Sequence, residues 1–452
     1  MKKSSLINFL CIPVIFFVML LESINCSKGS SSLSGNPTIN PSTNNDNYIV
    51  FAWNDLGMHC LNPTYNSAVI LPPYNTLWAQ VVKRGINPEI VTTGITVSYH
   101  IINNTYSYGK IAAATGGDYR QFWDNCLALF GAALSHDKGL NLEDPDIHNG
   151  LSGDMLLKTD HFQVNGIPLV PVDDSGVWNP YQVAEITVYD SSNNVLAQTR
   201  TTIPTSDEIN CARAECHAFP AMEDVLQKHD DEEGTSLLTS KPVLCASCHG
   251  SPALGGSGAG SSGKYLSEAI HGFHSDKNAV CYDCHPGLVT KCSRSVKHTS
   301  SDGNCNHCHG TMSNVADTIT AGTRTPWLNE PQCLTCHAGV AEVDTSTTLY
   351  RNANSGHSGI YCIACHGSPH AMTPSSKDSD NYQAVQYQSK AKTIGSCGVC
   401  HDDSRGEGSS EFLGEHGGSS EQPSACNVCH TQVNSNNIAL WPHQYQWHNT
   451  NN

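Results

Sequence analysis

Cysteine and histidine recur together in the C-terminal half of this 452-residue chain, in the pattern Cys-x-x-Cys-His. Two thiols at that spacing can add to the two vinyl groups of one porphyrin, and the adjacent imidazole can bind its iron. The motif therefore predicts covalently attached haem c. Seven copies are present, and an eighth, at residues 211–217, has four residues between its cysteines instead of two.

We number these motifs sites 1 to 8 in chain order. Their cysteines are Cys211 and Cys216 (site 1), Cys245 and Cys248 (site 2), Cys281 and Cys284 (site 3), Cys305 and Cys308 (site 4), Cys333 and Cys336 (site 5), Cys362 and Cys365 (site 6), Cys397 and Cys400 (site 7), Cys426 and Cys429 (site 8). The proximal iron ligands predicted for the same sites are His217, His249, His285, His309, His337, His366, His401 and His430.

The recurrence is not a product of composition. The chain has 21 Cys and 23 His, for which chance placement gives roughly 0.05 copies of the motif. Zinc sites also use paired cysteines, but neither a zinc site nor a disulfide framework requires histidine directly after each pair. The sequence therefore predicts eight copies of haem c.

Further histidines after residue 205 could supply a second axial ligand. An iron with imidazole on both faces only transfers electrons, whereas an open position permits substrate chemistry. The alternatives are a surface or propionate-binding role for any one histidine, and methionine as ligand for a few irons. Mostly His/His ligation predicts low reduction potentials. The candidate distal ligands are His229, His271, His274, His298, His307 (inside site 4, and expected to ligate a neighbouring haem), His357, His370, His416, His443 and His448.

The N-terminus predicts export. Two lysines precede an apolar run at residues 6–21, which is too short for an ordinary membrane span and is typical of a signal peptide within residues 1–26. Cys26 is a candidate lipid anchor, but the residues before it depart from the lipoprotein pattern, so simple cleavage nearby is the alternative. Residues 27–47, rich in Ser, Gly and Asn, predict a flexible linker.

Residues 48–206 predict a β-rich, sandwich-like domain without haem. Short β-branched and aromatic runs separated by Asn, Pro and Gly are typical of antiparallel strands. These runs occupy residues 48–53, 77–82, 95–101, 162–164, 167–172, 183–189 and 195–203. One helix is expected at residues 119–134 from its apolar periodicity.

Two features of this domain allow more than one interpretation. The polar cluster at residues 54–60 is interpreted as a structural turn, the alternative being that His59 reaches a haem. Cys60 and Cys126 are expected to form a disulfide in an oxidising compartment. Cys292 could replace either of them, so the pairing stays open.

Residues 207–452 predict an octahaem cytochrome c domain of low regular secondary structure. About thirty residues for each haem cannot build an ordinary core. The porphyrins would supply most of the buried apolar surface, with short helices carrying the motifs and loops wrapped around the haems.

The formal net charge of −17 argues against nucleic acid as a partner. Other cytochromes, copies of the same chain, and metal oxides or soluble metal acceptors are the expected partners. The expected location is the periplasm, the outer membrane surface or the extracellular space.

The eight motifs and the supply of further histidines resemble the extracellular multihaem cytochromes of metal-reducing bacteria, over about the last 245 residues. The segments at residues 53–60 and 70–74 also resemble ones that precede haem domains in such proteins. Some members are octahaem and form filaments. The resemblance implies an electron conduit in extracellular electron transfer.

Two other functions remain open. An octahaem oxidoreductase could reduce a small nitrogen or sulfur oxyanion at one open haem, and the stretched site with His217 is the departure that could mark it. Alternatively, the β-rich domain could be a binding module that docks the cytochrome to a partner. The chain has no Cys-x-x-Cys-Lys motif, which often marks the catalytic haem of such enzymes.

Overall fold

The computed structural model describes residues 47–85, 87–113, 115–209, 211, 216–287, 289–298, 305–336, 349–354 and 359–401. The predicted signal peptide with Cys26, nearly all of the predicted linker, and site 8 with Cys426, Cys429 and His430 lie outside these residues. So do His337 of site 5 and the candidate ligands His357, His416, His443 and His448.

The N-terminal part of the described chain is rich in β-structure, as predicted. Its strands are β1 (Tyr48–Trp53), β2 (His59–Cys60), β3 (Ala68–Val69), β4 (Asn75–Lys83), β5 (Glu89–Ile90), β6 (Ile95–Ile101), β7 (Ile111–Ala112), β8 (Gly117–Asp118), β9 (Ser152–Asp154), β10 (Leu156–Leu157), β11 (Phe162–Ile167), β12 (Tyr181–Asp190) and β13 (Val195–Ser206). Strand β14 (Val243–Leu244) lies farther along the chain.

Two five-stranded sheets share one apolar core. The first has the order β1-β4-β11-β10, with β5 paired to β4, and the second has the order β2-β13-β12-β6-β9. Most pairings are antiparallel, but the short β2 runs parallel to β13. Val50 and Leu77 from the first sheet and Val97 and Ile186 from the second lie in the same buried cluster.

Strand β1 is buried on both faces, which explains its unbroken apolar sequence. Val50 and Ala52 face the core between the sheets. Phe51 and Trp53 alternate with them and pack on the other side against Ile363 and other residues of the downstream chain. Alternation of polar and apolar residues is expected only where one face meets water, so β1 is a buried layer between the sandwich core and the segments that carry the haem motifs.

Six of the seven predicted strands are present, and the prediction for residues 167–172 is wrong. Only Ile167 belongs to a strand. Pro168 and Pro171 have no amide hydrogen to donate to a ladder, and tight turns form instead, in which Leu169 N donates to Ile167 O and Val172 N to Val170 O, both at 2.8 Å.

The predicted helix at residues 119–134 is shorter in the structure. Helix α1 spans Arg120–Phe130 and buries Phe122, Trp123 and Cys126 among others. It ends because Gly131 adopts a left-handed conformation (φ 72°) and donates its amide to Leu127 O, a stop that favours glycine.

The expected disulfide between Cys60 and Cys126 is not formed in the structure. Both are thiols, as is Cys292. Cys126 is buried in the apolar cluster around α1. Cys60 lies in β2, and burial followed by the neighbouring Cys292 raises the pKa of its thiol. Cys292, and not Cys126, is therefore a neighbour of Cys60.

Downstream of β13 the chain forms few and short helices joined by loops. They are α2 (Ala221–Glu233), α3 (Leu266–His274), α4 (Cys281–Cys284), α5 (Cys305–His309), α6 (Met312–Thr320), α7 (Cys362–His366) and α8 (Tyr382–Gln388). Within the described ranges, no helix is both long and apolar enough to cross a membrane.

The downstream chain also contacts the sheets directly. Strand β14 pairs with β3 in parallel, and Gly85 forms a parallel bridge with His401 of site 7. Gln383 of α8 donates to Ala52 O and accepts from Ala52 N. These contacts hold segments near the motifs against the β-rich part of the chain. The predicted division into domains near residue 206 coincides with the end of β13 at Ser206 and otherwise stays a prediction.

Candidate haem-binding site

In each Cys-x-x-Cys-His motif among the described residues, a short helical turn starts at the first cysteine. Sites 3, 4 and 6 form α4, α5 and α7, and sites 2, 5 and 7 form short 3₁₀ turns at Cys245–Ser247, Cys333–Thr335 and Cys397–Val399. A helical turn places residues three and four apart on one side. Both cysteines and the following histidine of a motif can therefore face the same space.

Among the residues that the structure describes, eight histidine rings lie together as four pairs. Each pair joins a motif histidine to one of the candidate distal histidines. The ring centroids are 6.4 Å apart for His217 and His274, 6.3 Å for His249 and His229, 6.0 Å for His285 and His271, and 6.2 Å for His309 and His370.

This spacing fits one metal ion between the two rings. Imidazoles on opposite sides of a metal ion, each with a metal–nitrogen bond of about 2 Å, have ring centroids roughly 6 Å apart. Rings in van der Waals contact would stack closer, as Tyr108 and His136 do at 3.5 Å. The gap between the paired histidines is thus the width that haem iron requires.

Hydrogen-bond partners lie at Nδ1 of six of these rings. Where the partner is a carbonyl or carboxylate, Nδ1 carries the proton and Nε2 keeps the lone pair that binds metal. The partners are Asp224 Oδ2 for His217 (2.8 Å), Thr235 Oγ1 for His229 (3.0 Å), Ser262 Oγ for His249 (2.9 Å), Ser267 O for His271 (2.7 Å), Ile270 O for His274 (2.8 Å) and Leu56 O for His370 (3.0 Å).

Burial keeps several of these rings neutral. The pKa of His285 is lowered to about 4, first by burial and then by the neighbouring His271. Burial followed by His370 lowers the pKa of His309 to about 4 as well. The pKa values of His271 and His370 are also lowered, chiefly by burial. Metal binding requires the neutral form, so these rings are ready to bind at neutral pH.

A large cavity connects sites 1, 2 and 3. Its volume is about 1820 Å³, and its lining includes cysteines and histidines of all three sites. This exceeds the about 300–1,000 Å³ of a typical pocket for one small molecule. Apolar side chains such as Met222, Leu226 and Phe273 contribute to the wall. The size, the lining and the thiols fit several porphyrins.

Residues from the motifs of different sites lie near one another. Cys281 Sγ of site 3 is 3.7 Å from Asn306 Oδ1 of site 4. Burial, followed by a neighbouring thiol of another site, raises the pKa of several motif cysteines. The pKa is raised to about 11 for Cys245 and for Cys284, which both have Cys211 as a neighbour, and to about 11 for Cys362, whose neighbour is Cys333. The pKa of Cys308 is raised beside Cys336.

The remaining described candidates occupy other positions. His298 Nδ1 lies 3.2 Å from Ser295 Oγ. His307 lies within α5, and His366 ends α7. His401 bridges to Gly85. Their assignment as ligands stays a prediction.

His59, in the polar cluster at residues 54–60, is buried within strand β2. Its Nε2 is 3.0 Å from Asp55 Oδ1, and Thr76 Oγ1 donates to the same carboxylate oxygen. Burial raises the pKa of Asp55, but the hydrogen bonds from His59 and Thr76 act in the opposite direction and the net pKa lies below its ordinary value of 3.8.

This shift predicts how Asp55 contributes to stability. A carboxyl group with a depressed pKa in the folded state stabilises the fold above its unfolded pKa and loses that contribution as pH falls through the folded pKa. We expect Asp55→Asn to lower the free energy of unfolding by about 1–3 kcal/mol at pH 7, and by less below pH 3. Denaturant unfolding at both pH values measures this. Asp146→Asn is the control, because Asp146 is exposed. If Asp55→Asn lowers the free energy of unfolding equally at both pH values, the prediction is wrong.

Sequence reasoning missed the hydrogen-bond partners of the paired rings. Asp224 and the carbonyl of Leu56 are examples. A local signal existed for His271 and His274, because a histidine within a helix can donate to the carbonyl four residues earlier. No such signal existed for Leu56, which is far from His370 in sequence.

A segment of the chain matches a known family. Residues 313–367 match the family described as Cytochrome c554 and c-prime. The matched segment contains site 5 and site 6, including all of α7. Comparison with curated proteins finds no match, and comparison with solved structures finds none either. The family match supports a c-type cytochrome, with bound haem c and electron transfer as its role.

Proposed function

We propose that the protein is an octahaem c-type cytochrome that conducts electrons along a row of mostly bis-histidine haems, in extracellular electron transfer to metals or partner cytochromes. The observation that carries the proposal is the set of four histidine pairs at 6.0–6.4 Å. Each pair takes one ring from a motif and one from elsewhere in the chain, which is the composition that bis-histidine ligation requires.

The assignment of distal ligands follows from these pairs. His274 serves site 1, His229 serves site 2, His271 serves site 3 and His370 serves site 4. The other motif histidines are proposed as proximal ligands of sites 5 to 8. Haem c supplies a one-electron iron couple when bound. The paired histidines would hold the iron through two imidazoles, and would thereby close it to substrates.

The proposed distal ligands do not follow the order of the sites along the chain. His229 lies on α2, which follows site 1 in the chain, yet it faces site 2. His271 and His274 lie three residues apart on α3 and face sites 3 and 1. His370 follows site 6 and faces site 4. This interleaving supports short distances between successive haems.

Motif residues of different sites that lie near one another support a row of haems. Cys245 and Cys284 both have Cys211 as a neighbour, Cys308 has Cys336, Cys362 has Cys333, and Cys281 lies near Asn306, so we propose that sites 1 to 6 are neighbours in the order 2, 1, 3, 4, 5, 6. An unbroken row suits conduction, because electrons can then cross the protein without domain movement.

The pairing at site 1 favours the conduit over an oxyanion-reducing enzyme. The stretched motif of site 1 could mark a haem with an open coordination position. Its His217 is instead paired with His274. Proposed partners are other cytochromes, copies of the chain, and metal oxides or soluble metal acceptors, at the outer surface of the cell or in the periplasm. The net charge of −17 suits cationic acceptors.

Electron paramagnetic resonance of the oxidised protein tests this proposal. The paired ring planes fall into two classes, near-parallel at 17° and 28° and steeply inclined at 63° and 79°. The angle between axial imidazole planes sets the anisotropy of low-spin ferric iron. We therefore expect both rhombic and strongly anisotropic low-spin signals, eight haems by intact mass, and no binding of carbon monoxide after reduction. Predominantly high-spin iron, or a protein without haem, would contradict the proposal.

A further inference from the structure

The loop formed by Asn54, Asp55, Leu56 and Gly57, here called the 54–57 loop, has a role that the proposed ligand set does not include. It follows β1 directly. Asn54 Oδ1 accepts from Gly57 N at 2.8 Å, and Asn54 Nδ2 donates to Asn75 Oδ1 at 2.7 Å and to Thr76 O at 2.9 Å. The loop is thus closed on itself and tied to the sheet, so its carbonyl groups have fixed directions.

Those carbonyls point at the segment that contains His370. Leu56 O accepts the Nδ1 hydrogen of His370 at 3.0 Å. Asn54 O accepts from Ser368 Oγ at 2.6 Å. Ser368 and His370 are therefore both held by the backbone of residues 54–56.

Arg294 also links the 54–57 loop to the segment that contains His370. Its Nη1 donates to Gly57 O at 2.8 Å, and its backbone amide donates to His370 O at 2.6 Å. The guanidinium is itself fixed by Asp380, with Nε–Oδ2 at 2.8 Å and Nη2–Oδ1 at 3.1 Å. One buried cation thus joins the 54–57 loop to the backbone of His370.

We propose that the 54–57 loop is the second coordination sphere of the haem ligated by His309 and His370, holding His370 in its Nδ1-protonated tautomer and fixing its ring plane. This inference rests on the proposed function, which makes His370 a distal ligand. A hydrogen bond from Nδ1 to a carbonyl makes the imidazole a stronger donor at Nε2 and stabilises the oxidised metal. The loop therefore lowers the reduction potential of that one haem.

Gly57 offers a direct way to displace the loop. A Cβ at this position would lie 3.0 Å from Ser368 Cβ and 3.3 Å from His370 N, and the backbone has a positive φ of 77°. Alanine there must push the segment of residues 368–370 away. Gly176 is a matched control, because its φ is 79° and a Cβ would meet nothing within 4 Å. The two substitutions share the backbone strain of a left-handed residue and differ in contact with the ligand segment.

The experiment compares Gly57→Ala, Gly176→Ala and Ser368→Ala in the haem-loaded full chain, by redox titration and electron paramagnetic resonance. His370→Ala identifies the relevant near-parallel signal by its loss. We expect Gly57→Ala to alter that signal alone and to change the reduction equilibrium of one haem about tenfold, which is about 59 mV for a one-electron couple. Ser368→Ala, which removes one hydrogen bond and adds no bulk, should give a smaller change in the same direction.

The outcomes separate the two proposals. If Gly57→Ala and Ser368→Ala retain all haems and leave the signal lost in His370→Ala unchanged, the loop has no coordination role. An equal shift in Gly176→Ala would likewise overturn it. If the wild-type protein has no near-parallel bis-imidazole signal, the proposed function itself fails.

Discussion

Replacing His274 with alanine is expected to make one haem accessible to carbon monoxide, raising the binding stoichiometry from none to one per protein. The substitution would leave the proposed thioether bonds of site 1 intact, so intact mass should still give the full haem count. His274 lies on α3 with its Nδ1 bonded to Ile270 O, and its ring is 6.4 Å from that of His217. Removing it leaves site 1 with a single imidazole, and the iron becomes high-spin.

His271 on the same helix gives the matched variant. His271→Ala should open site 3 instead, and because its pair is near-parallel at 17° whereas that of His274 is inclined at 63°, the two variants should lose low-spin signals of different classes. His100→Ala, at an exposed position of β6, is the control and should bind no carbon monoxide. If His274→Ala also binds none, His274 is not an axial ligand.

Replacing Asp380 with alanine is expected to lower the free energy of unfolding by about 3–5 kcal/mol, because it leaves a buried cation without its partner. The Arg294 and Asp380 side chains are only 1% and 4% exposed. Arg294 also donates to Gly57 O and Cys292 O, so its guanidinium cannot turn toward water without breaking these contacts. Chemical denaturation at neutral pH, followed by tryptophan fluorescence, measures the loss.

Asp118 provides the control for this prediction. It pairs with Arg120 at 2.7 Å, but the arginine side chain is 49% exposed, and such surface pairs contribute about 0–1 kcal/mol. Asp118→Ala should therefore cost little. A cost below about 1 kcal/mol for Asp380→Ala would show that Arg294 remains solvated or finds another partner.

The β-structure could be predicted from the sequence because its signals are local. The run at Tyr48–Trp53 is rich in β-branched and aromatic residues and is a strand at those bounds. What the sequence did not indicate is why this strand has no polar face. The residues that cover Phe51 and Trp53, such as Ile363, come from far along the chain, and no periodicity within β1 reports them.

Binding of haem c could be predicted for the same reason, since two thiols and an imidazole within five residues carry their own chemistry. The pairing of histidines could not. His229 is closer in sequence to site 1 than to site 2, yet its ring faces His249. His370 follows His366 by four residues, yet it faces His309. Which motif histidine a second histidine faces depends on how the loops fold in three dimensions, and the spacing of residues in the sequence does not determine this.

The position of α3 has a consequence for biogenesis. In the proposed ligation, site 1 takes its second imidazole from a helix that lies beyond site 2 in the chain, and the same helix serves site 3. A chain that crosses the membrane from its N-terminus therefore delivers site 1 well before the ligand that closes it. In an exported chain, the proposed ligation would therefore leave site 1 without its second imidazole until α3 had also been delivered.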